Sequence, residues 1–144
     1  MKPQLIVIRG NQETGKTSVA ICLYNLLIKH YNLNVDEIKD KIDISRPLFI
    51  GNKQVYFLSE GDLKDILYRN LQKAKEQNPD IIVICLRSMD REGSSLRMMI
   101  EEESELFDGR IEAWTSASNI EELWHPLHMA LANVLANKIV ELLK

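Results

Sequence analysis

Two short stretches of the chain are apolar over consecutive positions. Leu5 to Arg9 is one such run and ends at Gly10, and Asp80 to Leu86 is β-branched and uncharged after its first residue. Strands that are apolar on both faces are typical of the centre of a parallel sheet, because helices cover them on each side. We therefore predict two central strands at these positions.

Two longer stretches show the spacing of helices. Thr17 to Tyr31 lacks Gly and Pro and is apolar over much of its length, which predicts a largely buried helix. A second run of apolar residues at helical spacing starts at Leu63, and Asn78-Pro79 stops it. Asp62 precedes this run and carries the short carboxylate that is favoured at a helix N-cap.

The segment between these helices contains a turn signal. Leu48 to Ile50 and Val55 to Leu58 flank Gly51-Asn52, which predicts a β-hairpin. Residues 32–45 are ambiguous, and one helical turn is the expectation around residues 36–41.

In the last third of the chain, the pattern of apolar and polar residues predicts a helix, a strand and a second helix. A serine at position 94 or 95 caps the predicted helix through Leu106, and residues 111–115 form the last predicted strand. Ser118 and Glu121 have the spacing of a capping box, which predicts the start of a C-terminal helix. We expect His125-Pro126 to interrupt that helix, because proline removes a helical hydrogen bond.

Strands that alternate with helices of this length indicate an α/β fold. The expected architecture is a three-layer α/β/α sandwich with a mostly parallel sheet and the hairpin at one edge. The chain shows no repeat, low-complexity tract or linker, so residues 1–144 are expected to form a single domain.

The charge balance and the positions of the cysteines argue against several classes of protein. Lys and Arg total 18 against 21 Asp and Glu, whereas nucleic-acid-binding domains are normally basic. Cys22 and Cys85 lie inside apolar runs and match neither a disulfide framework nor a metal-binding spacing. No leader pattern is present, and no segment approaches the roughly 18 apolar residues of a membrane span. We expect a soluble cytoplasmic domain that binds neither nucleic acid nor membranes.

A glycine-rich segment joins the first predicted strand to the first predicted helix. Its sequence, Gly-Asn-Gln-Glu-Thr-Gly-Lys-Thr over residues 10–17, matches the phosphate-binding pattern GxxxxGK[ST]. The glycines let the backbone wrap closely, so that successive N–H groups point at one anion at the start of a helix, where the dipole favours negative charge. The residues predicted to bind the phosphates are Gly10, Asn11, Gln12, Glu13, Thr14, Gly15, Lys16, Thr17 and Ser18.

Two side chains of this segment extend the prediction from phosphate to a nucleoside triphosphate. Lys16 can reach the β and γ phosphates and act in catalysis, and the Thr17 hydroxyl can ligate a Mg²⁺ ion bound to them. The sequence therefore predicts a nucleoside triphosphate and Mg²⁺ as ligands, and ATP is favoured over GTP because no [NT]KxD motif precedes TSAS to read guanine.

With these residues in place, the chain resembles the P-loop NTPases. The segments GNKQVYFLSEGD, DIIVICLRSMDREG and IEAWTSAS also resemble a group of small, single-domain bacterial P-loop proteins without an assigned role. In that group a Gly-Asp follows the hairpin, and an arginine-bearing segment follows the DIIV strand. The resemblance covers most of the chain and implies the P-loop NTPase fold, but only the phosphate-binding loop is mechanistically specific.

A P-loop NTPase normally has a carboxylate at the end of a neighbouring strand, which holds the water shell of Mg²⁺. The DIIVICL strand ends instead in Arg87 and Ser88. Glu60 and Asp62, which follow the hairpin, are the alternative candidates for metal binding, and Glu60 could also orient a catalytic water. The N-cap role remains the preferred one for Asp62.

Two arginines follow the DIIVICL strand. Arg87 and Arg91 are candidates for stabilising charge on a transferring phosphoryl group, with an ion pair to nearby carboxylates or simple solvation as an equal or better alternative. The loop 88–95 is the best candidate for a mobile cover over the site.

Three functions remain open. The first is an ATP-binding enzyme that hydrolyses the nucleotide or transfers its γ-phosphoryl group to a small molecule. The second is a GTPase-like switch, although no DxxG directly follows the hairpin and no [NT]KxD precedes the TSAS segment to read guanine. The third is a nucleotide-binding regulatory module with little turnover. The small-molecule or protein partner and the oligomeric state do not follow from the sequence.

Overall fold

A computed structural model describes residues 2–10, 15–59, 64–87, 107–115 and 120–144 of the chain. For residues 64–68, 87, 110 and 114 it describes the backbone alone. In chain order the elements are β1 (Gln4–Gly10), α1 (Lys16–Tyr31), β2 (Ser45–Ile50), β3 (Lys53–Leu58), α2 (Lys64–Glu76), β4 (Ile81–Arg87), β5 (Gly109–Trp114), a 3₁₀ turn (Glu121–Leu123) and α3 (Trp124–Leu142).

The described strands form one sheet in the order β2-β3-β4-β1-β5. β1 lies between β4 and β5 and is parallel to both, and β3 is parallel to β4 on its other side. β2 pairs antiparallel with β3 at the edge, across a turn in which Gly51 has a φ of +62°. The predictions of an α/β fold, a mostly parallel sheet and an edge hairpin are therefore confirmed.

Both faces of the sheet are apolar. Alternate residues of β1 point to opposite faces, and the residues on each side belong to a hydrophobic core. Ile6 and Ile8 lie in a core shared with α1 and α3, and Leu5 and Val7 lie in a second core shared with α2. The helical residues in the first core include Val19, Leu23, Leu27, Ala132, Leu135 and Ile139, and those in the second are Leu71 and Ala74.

Residues 32–44 form no helix, so the helical turn expected around residues 36–41 is wrong. Asn25 of α1 explains the irregular path, because its side chain bonds both main-chain groups of Ile38. Asn25 Nδ2 donates to the Ile38 carbonyl at 2.8 Å, and the Ile38 N–H donates to Asn25 Oδ1 at 2.8 Å. Two side-chain bonds to one residue replace the local bonds that a helical turn would make.

The C-terminal helix is continuous, so the predicted interruption at His125-Pro126 is also wrong. Pro126 lies in the first turn of α3, where a missing N–H costs no intrahelical bond. The residue before the 3₁₀ turn is Ile120, and Ser118 of the predicted capping box lies outside the described residues.

In the described part of the chain, none of the helices combines the length and apolar character required to cross a bilayer.

Candidate functional site

The predicted phosphate-binding segment joins the central strand to the first helix. β1 ends at Gly10, α1 begins at Lys16, and Gly15 occupies the N-cap with φ +90°. A φ in this range is accessible to glycine and strained for other residues, which explains the second glycine of the pattern. The predicted ligands at positions 11–14 (Asn11, Gln12, Glu13 and Thr14) lie outside the described residues.

The start of α1 carries main-chain N–H groups that are not bonded within the helix. No described side chain caps it, and its first turn contains no acidic residue. The N–H groups of Lys16, Thr17 and Ser18 have no acceptor within the helix, because the first intrahelical bond runs from the Val19 N–H to the Gly15 carbonyl at 2.9 Å. These N–H groups and the helix dipole favour a negatively charged ligand.

Lys16 closes the base of the segment. Its Nζ donates to the carbonyl oxygen of Gly10, the last residue of β1, at 2.9 Å. An ammonium group has three donors, so this bond is compatible with further bonds to phosphate oxygens.

Asp43 is a candidate site residue that the sequence pattern did not identify. The Thr17 hydroxyl and Asp43 Oδ1 lie 3.5 Å apart, and the Ser59 hydroxyl lies 3.5 Å from the same carboxylate oxygen. Asp43 belongs to the ambiguous segment before β2, where an isolated aspartate between isoleucines carries no recognisable motif. Only the long-range contacts of this segment reveal its position.

The ends of β4 and β5 lie on either side of the end of β1, where the predicted phosphate-binding segment begins. Gly10 is in register with Arg87 of β4, so the backbone of Arg87 lies directly beside the start of the loop. On the other side, Thr115 donates to the Arg9 carbonyl from its N–H at 2.7 Å and from its hydroxyl at 3.2 Å. The Thr115 hydroxyl therefore satisfies a main-chain group.

A pocket of about 310 Å³ lies between α1, the end of β5 and α3. Its lining is mainly apolar and consists of Val19, Thr115, Leu127, His128, Ala130, Leu131 and Val134. The imidazole of His128 also contacts Gly15, because a Cβ atom built on that glycine would lie 2.1 Å from His128 Nε2. The pocket therefore opens beside the phosphate-binding segment.

The remaining candidates lie outside the described residues, namely Glu60, Asp62, Arg91 and the cover loop 88–95. Among the described residues, no group of three or more His, Cys, Asp and Glu side chains has the arrangement of a metal site. This finding concerns sites built entirely from protein ligands, and Mg²⁺ bound to a nucleotide takes most of its ligands from phosphate and water.

The chain matches no protein-family model, no curated protein and no solved structure.

Proposed function

We propose that this chain binds ATP together with Mg²⁺ and hydrolyses the nucleotide or transfers its γ-phosphoryl group. The observation that carries the proposal is the start of α1. No described side chain caps this helix N-terminus, Lys16 and Thr17 lie in its first turn, and it follows β1, an interior strand of the sheet. The GxxxxGK[ST] sequence needs this structural context to bind polyphosphate.

The fold supports the proposal in a second way. Ligands of open parallel sheets bind beyond the carboxyl ends of the strands. Gly10, Arg87 and Thr115 mark these ends for β1, β4 and β5, and the start of α1, with Lys16 and Thr17, follows β1 at the same edge. Helices on both faces agree with the three-layer arrangement of the P-loop NTPases.

The pocket beside Gly15 is the best candidate for the base and ribose. Its volume of about 310 Å³ is at the small end of ligand sites, which range from about 300 to 1,000 Å³. Apolar side chains such as Val19, Leu127 and Leu131 suit the faces of an adenine ring. No described residue there forms the [NT]KxD signature that reads guanine, in agreement with a preference for ATP.

Each residue of the segment has a defined role in this proposal. The main-chain N–H groups at the start of α1 bind phosphate oxygens, and the Lys16 ammonium holds the β and γ phosphates. When bound, Mg²⁺ neutralises charge on these phosphates, and Thr17 supplies a hydroxyl ligand. In hydrolysis the oxygen of water attacks the γ-phosphorus, the bond to the bridging oxygen breaks, and ADP leaves. Glu60 is the candidate that orients the water, with Arg87 and Arg91 as candidates for charge stabilisation.

The test is a titration of ATP, GTP, ADP and GDP with and without Mg²⁺, followed by measurement of phosphate release. Lys16→Ala should weaken binding of triphosphates at least tenfold while the protein remains folded, because it removes the ammonium group. The matched control is Lys29→Ala at the other end of α1, where the side chain is exposed and pairs with Glu37. Equal ATP affinity of the Lys16 variant and the parent would refute the proposal, and a strong GTP preference would refute the choice of ATP.

A regulatory module with little turnover is the second candidate. It is favoured by the end of β4, where Arg87 stands in place of the carboxylate expected of an NTPase. Binding of ATP without phosphate release would support it. Turnover that is abolished by Glu60→Gln would support the enzyme instead.

A further inference from the structure

The segment before β2 follows a path that long-range bonds determine. Ile38 is held by Asn25 through two bonds of 2.8 Å. Six residues later, Ile44 is held by Ser59 at the end of β3. The Ile44 N–H donates to the Ser59 hydroxyl at 2.7 Å, and the Ser59 N–H donates to the Ile44 carbonyl at 2.8 Å. Ile38, Ile44 and Ser59 are all buried, so the segment is anchored at both ends.

Asp43 lies between these anchors, next to the fixed residue Ile44. Its carboxylate is exposed, and Oδ1 lies 3.5 Å from both the Thr17 hydroxyl and the Ser59 hydroxyl. A direct hydrogen bond from a hydroxyl to a carboxylate is about 2.7 Å long. The carboxylate thus lies beside the hydroxyl of Thr17, which is predicted to ligate Mg²⁺, without being tightly bonded to it.

The distance and the donor set fit Mg²⁺. The ion binds oxygen ligands at about 2.1 Å in an octahedron, so two adjacent ligand oxygens lie about 3.0 Å apart. Asp43 Oδ1 is within about half an ångström of that separation from the Thr17 oxygen, given the observed 3.5 Å. Mg²⁺ in nucleotide sites is typically held by one or two carboxylates, phosphate oxygens and several waters. A single carboxylate beside a hydroxyl is sufficient for such a site.

We propose that Asp43 is the carboxylate that completes the Mg²⁺ shell of the bound nucleotide, either directly or through a metal-bound water. The proposal rests on the proposed function, because the nucleotide brings the metal. It gives Asp43, in the segment before β2, the metal-binding role that the sequence analysis expected of a carboxylate at the end of a strand. It does not depend on Glu60 or Asp62.

The charge of Asp43 yields a signature that a purely structural residue would not produce. Without metal, a carboxylate at this position repels the polyphosphate, and with Mg²⁺ it attracts the cation that bridges them. Removing the charge should therefore weaken binding in Mg²⁺ and leave binding in EDTA unchanged or about threefold tighter. Loss of a structural residue would weaken binding under both conditions.

The experiment measures affinity for a fluorescent, non-hydrolysable ATP analogue in Mg²⁺ and in EDTA. The ratio of the two affinities is the Mg²⁺ increment. Asp43→Asn should reduce this increment about tenfold or more, the effect of losing an outer-shell metal partner. Asp40→Asn is the matched control, since Asp40 is an exposed aspartate in the same segment, and it should keep the increment of the parent. Binding of Mn²⁺ to the complex with ADP, followed by electron paramagnetic resonance, should show the same loss.

The outcomes separate the two proposals. If the parent binds the analogue and Asp43→Asn retains the increment within twofold, the assignment of Asp43 is wrong and the proposed function stands. A parent that binds equally well in Mg²⁺ and in EDTA would also overturn it. If the parent does not bind the analogue under either condition, the proposed function and this inference both fall. Asp43→Ala is the second variant and should lose the increment as Asp43→Asn does.

Discussion

Gly15 is the position at which the structure predicts the most specific effect of a single substitution. Its φ of +90° lies in the left-handed region, and a Cβ atom there would lie 2.1 Å from Nε2 and 2.4 Å from Cε1 of His128. Gly15→Ala therefore meets two separate penalties, one from the backbone and one from the imidazole.

The two penalties can be estimated separately. A left-handed conformation costs a residue with a Cβ atom about 1 to 2 kcal/mol. The contact with His128 adds a packing cost, which typically reaches about 1 to 3 kcal/mol for an added methyl group. The imidazole is the far end of a side chain and can turn aside, so the lower value applies. We expect Gly15→Ala to reduce the free energy of unfolding by about 2 to 3 kcal/mol.

Urea denaturation followed by circular dichroism measures this loss, and a double-mutant cycle divides it. In a His128→Ala background the packing penalty disappears, so the cost of Gly15→Ala should fall by about 1 kcal/mol. Gly51→Ala is the matched control, since Gly51 has φ +62° and nothing lies within 4 Å of its added Cβ. It should show the backbone penalty alone, with the same value in both backgrounds.

Two results would refute the reasoning. If Gly15→Ala costs no more than Gly51→Ala, the imidazole is not packed against the loop. If the cost is the same with and without His128, the two residues are not coupled. Either result would also remove the evidence that the pocket adjoins the phosphate-binding segment.

Two further predictions concern charged groups. Arg9 is 5% exposed and pairs with Glu112 at 3.1 Å. Glu112→Gln should therefore reduce the free energy of unfolding by about 2 kcal/mol. Because the pair is largely buried, 0.5 M NaCl should change that loss little. Glu37→Gln is the control, because its partner Lys29 is 70% exposed. Urea denaturation should show that it lowers the free energy of unfolding by less than about 1 kcal/mol, and salt should remove this loss. Burial raises the pKa of the Cys22 thiol, so the unfolded chain loses this proton first as the pH rises. Stability should therefore fall above about pH 8.5, and Cys22→Ala should reduce that slope in urea titrations at pH 7 and pH 9.5.

The elements that could be predicted from the sequence are those with a local cause. The buried strands β1 and β4, the helix α1 and the hairpin at Gly51 follow from periodicity and turn residues, and each agrees with the structure within three positions. The interruption expected at Pro126 was wrong because the penalty of proline depends on its position in the helix, and the pattern did not locate the helix start.

The position of Asp43 could not be predicted for a different reason. It depends on bonds between Ile44 and Ser59, which are 15 residues apart, and on the strand order that brings β3 near α1. Periodicity reports which face of an element is buried, but it does not report which strand is its neighbour. The contiguous motif therefore predicted Lys16 and Thr17 as site residues, whereas only the tertiary structure places the Asp43 carboxylate beside the Thr17 hydroxyl.

The strand order has a consequence for where charge would be needed during phosphoryl transfer. β4 lies between β1 and β3, and neighbouring strands are about 4.8 Å apart. The predicted phosphate-binding segment follows β1, and Asp43 adjoins Ile44, which Ser59 holds just beyond β3, so a metal between Thr17 and Asp43 would lie towards β3. A γ-phosphate bound to that metal would then lie near the end of β4, where the backbone of Arg87 is in register with Gly10. β4 thus ends in an arginine, in backbone register with Gly10, where the expected carboxylate is absent, and on this ground we propose Arg87 as the charge-stabilising residue.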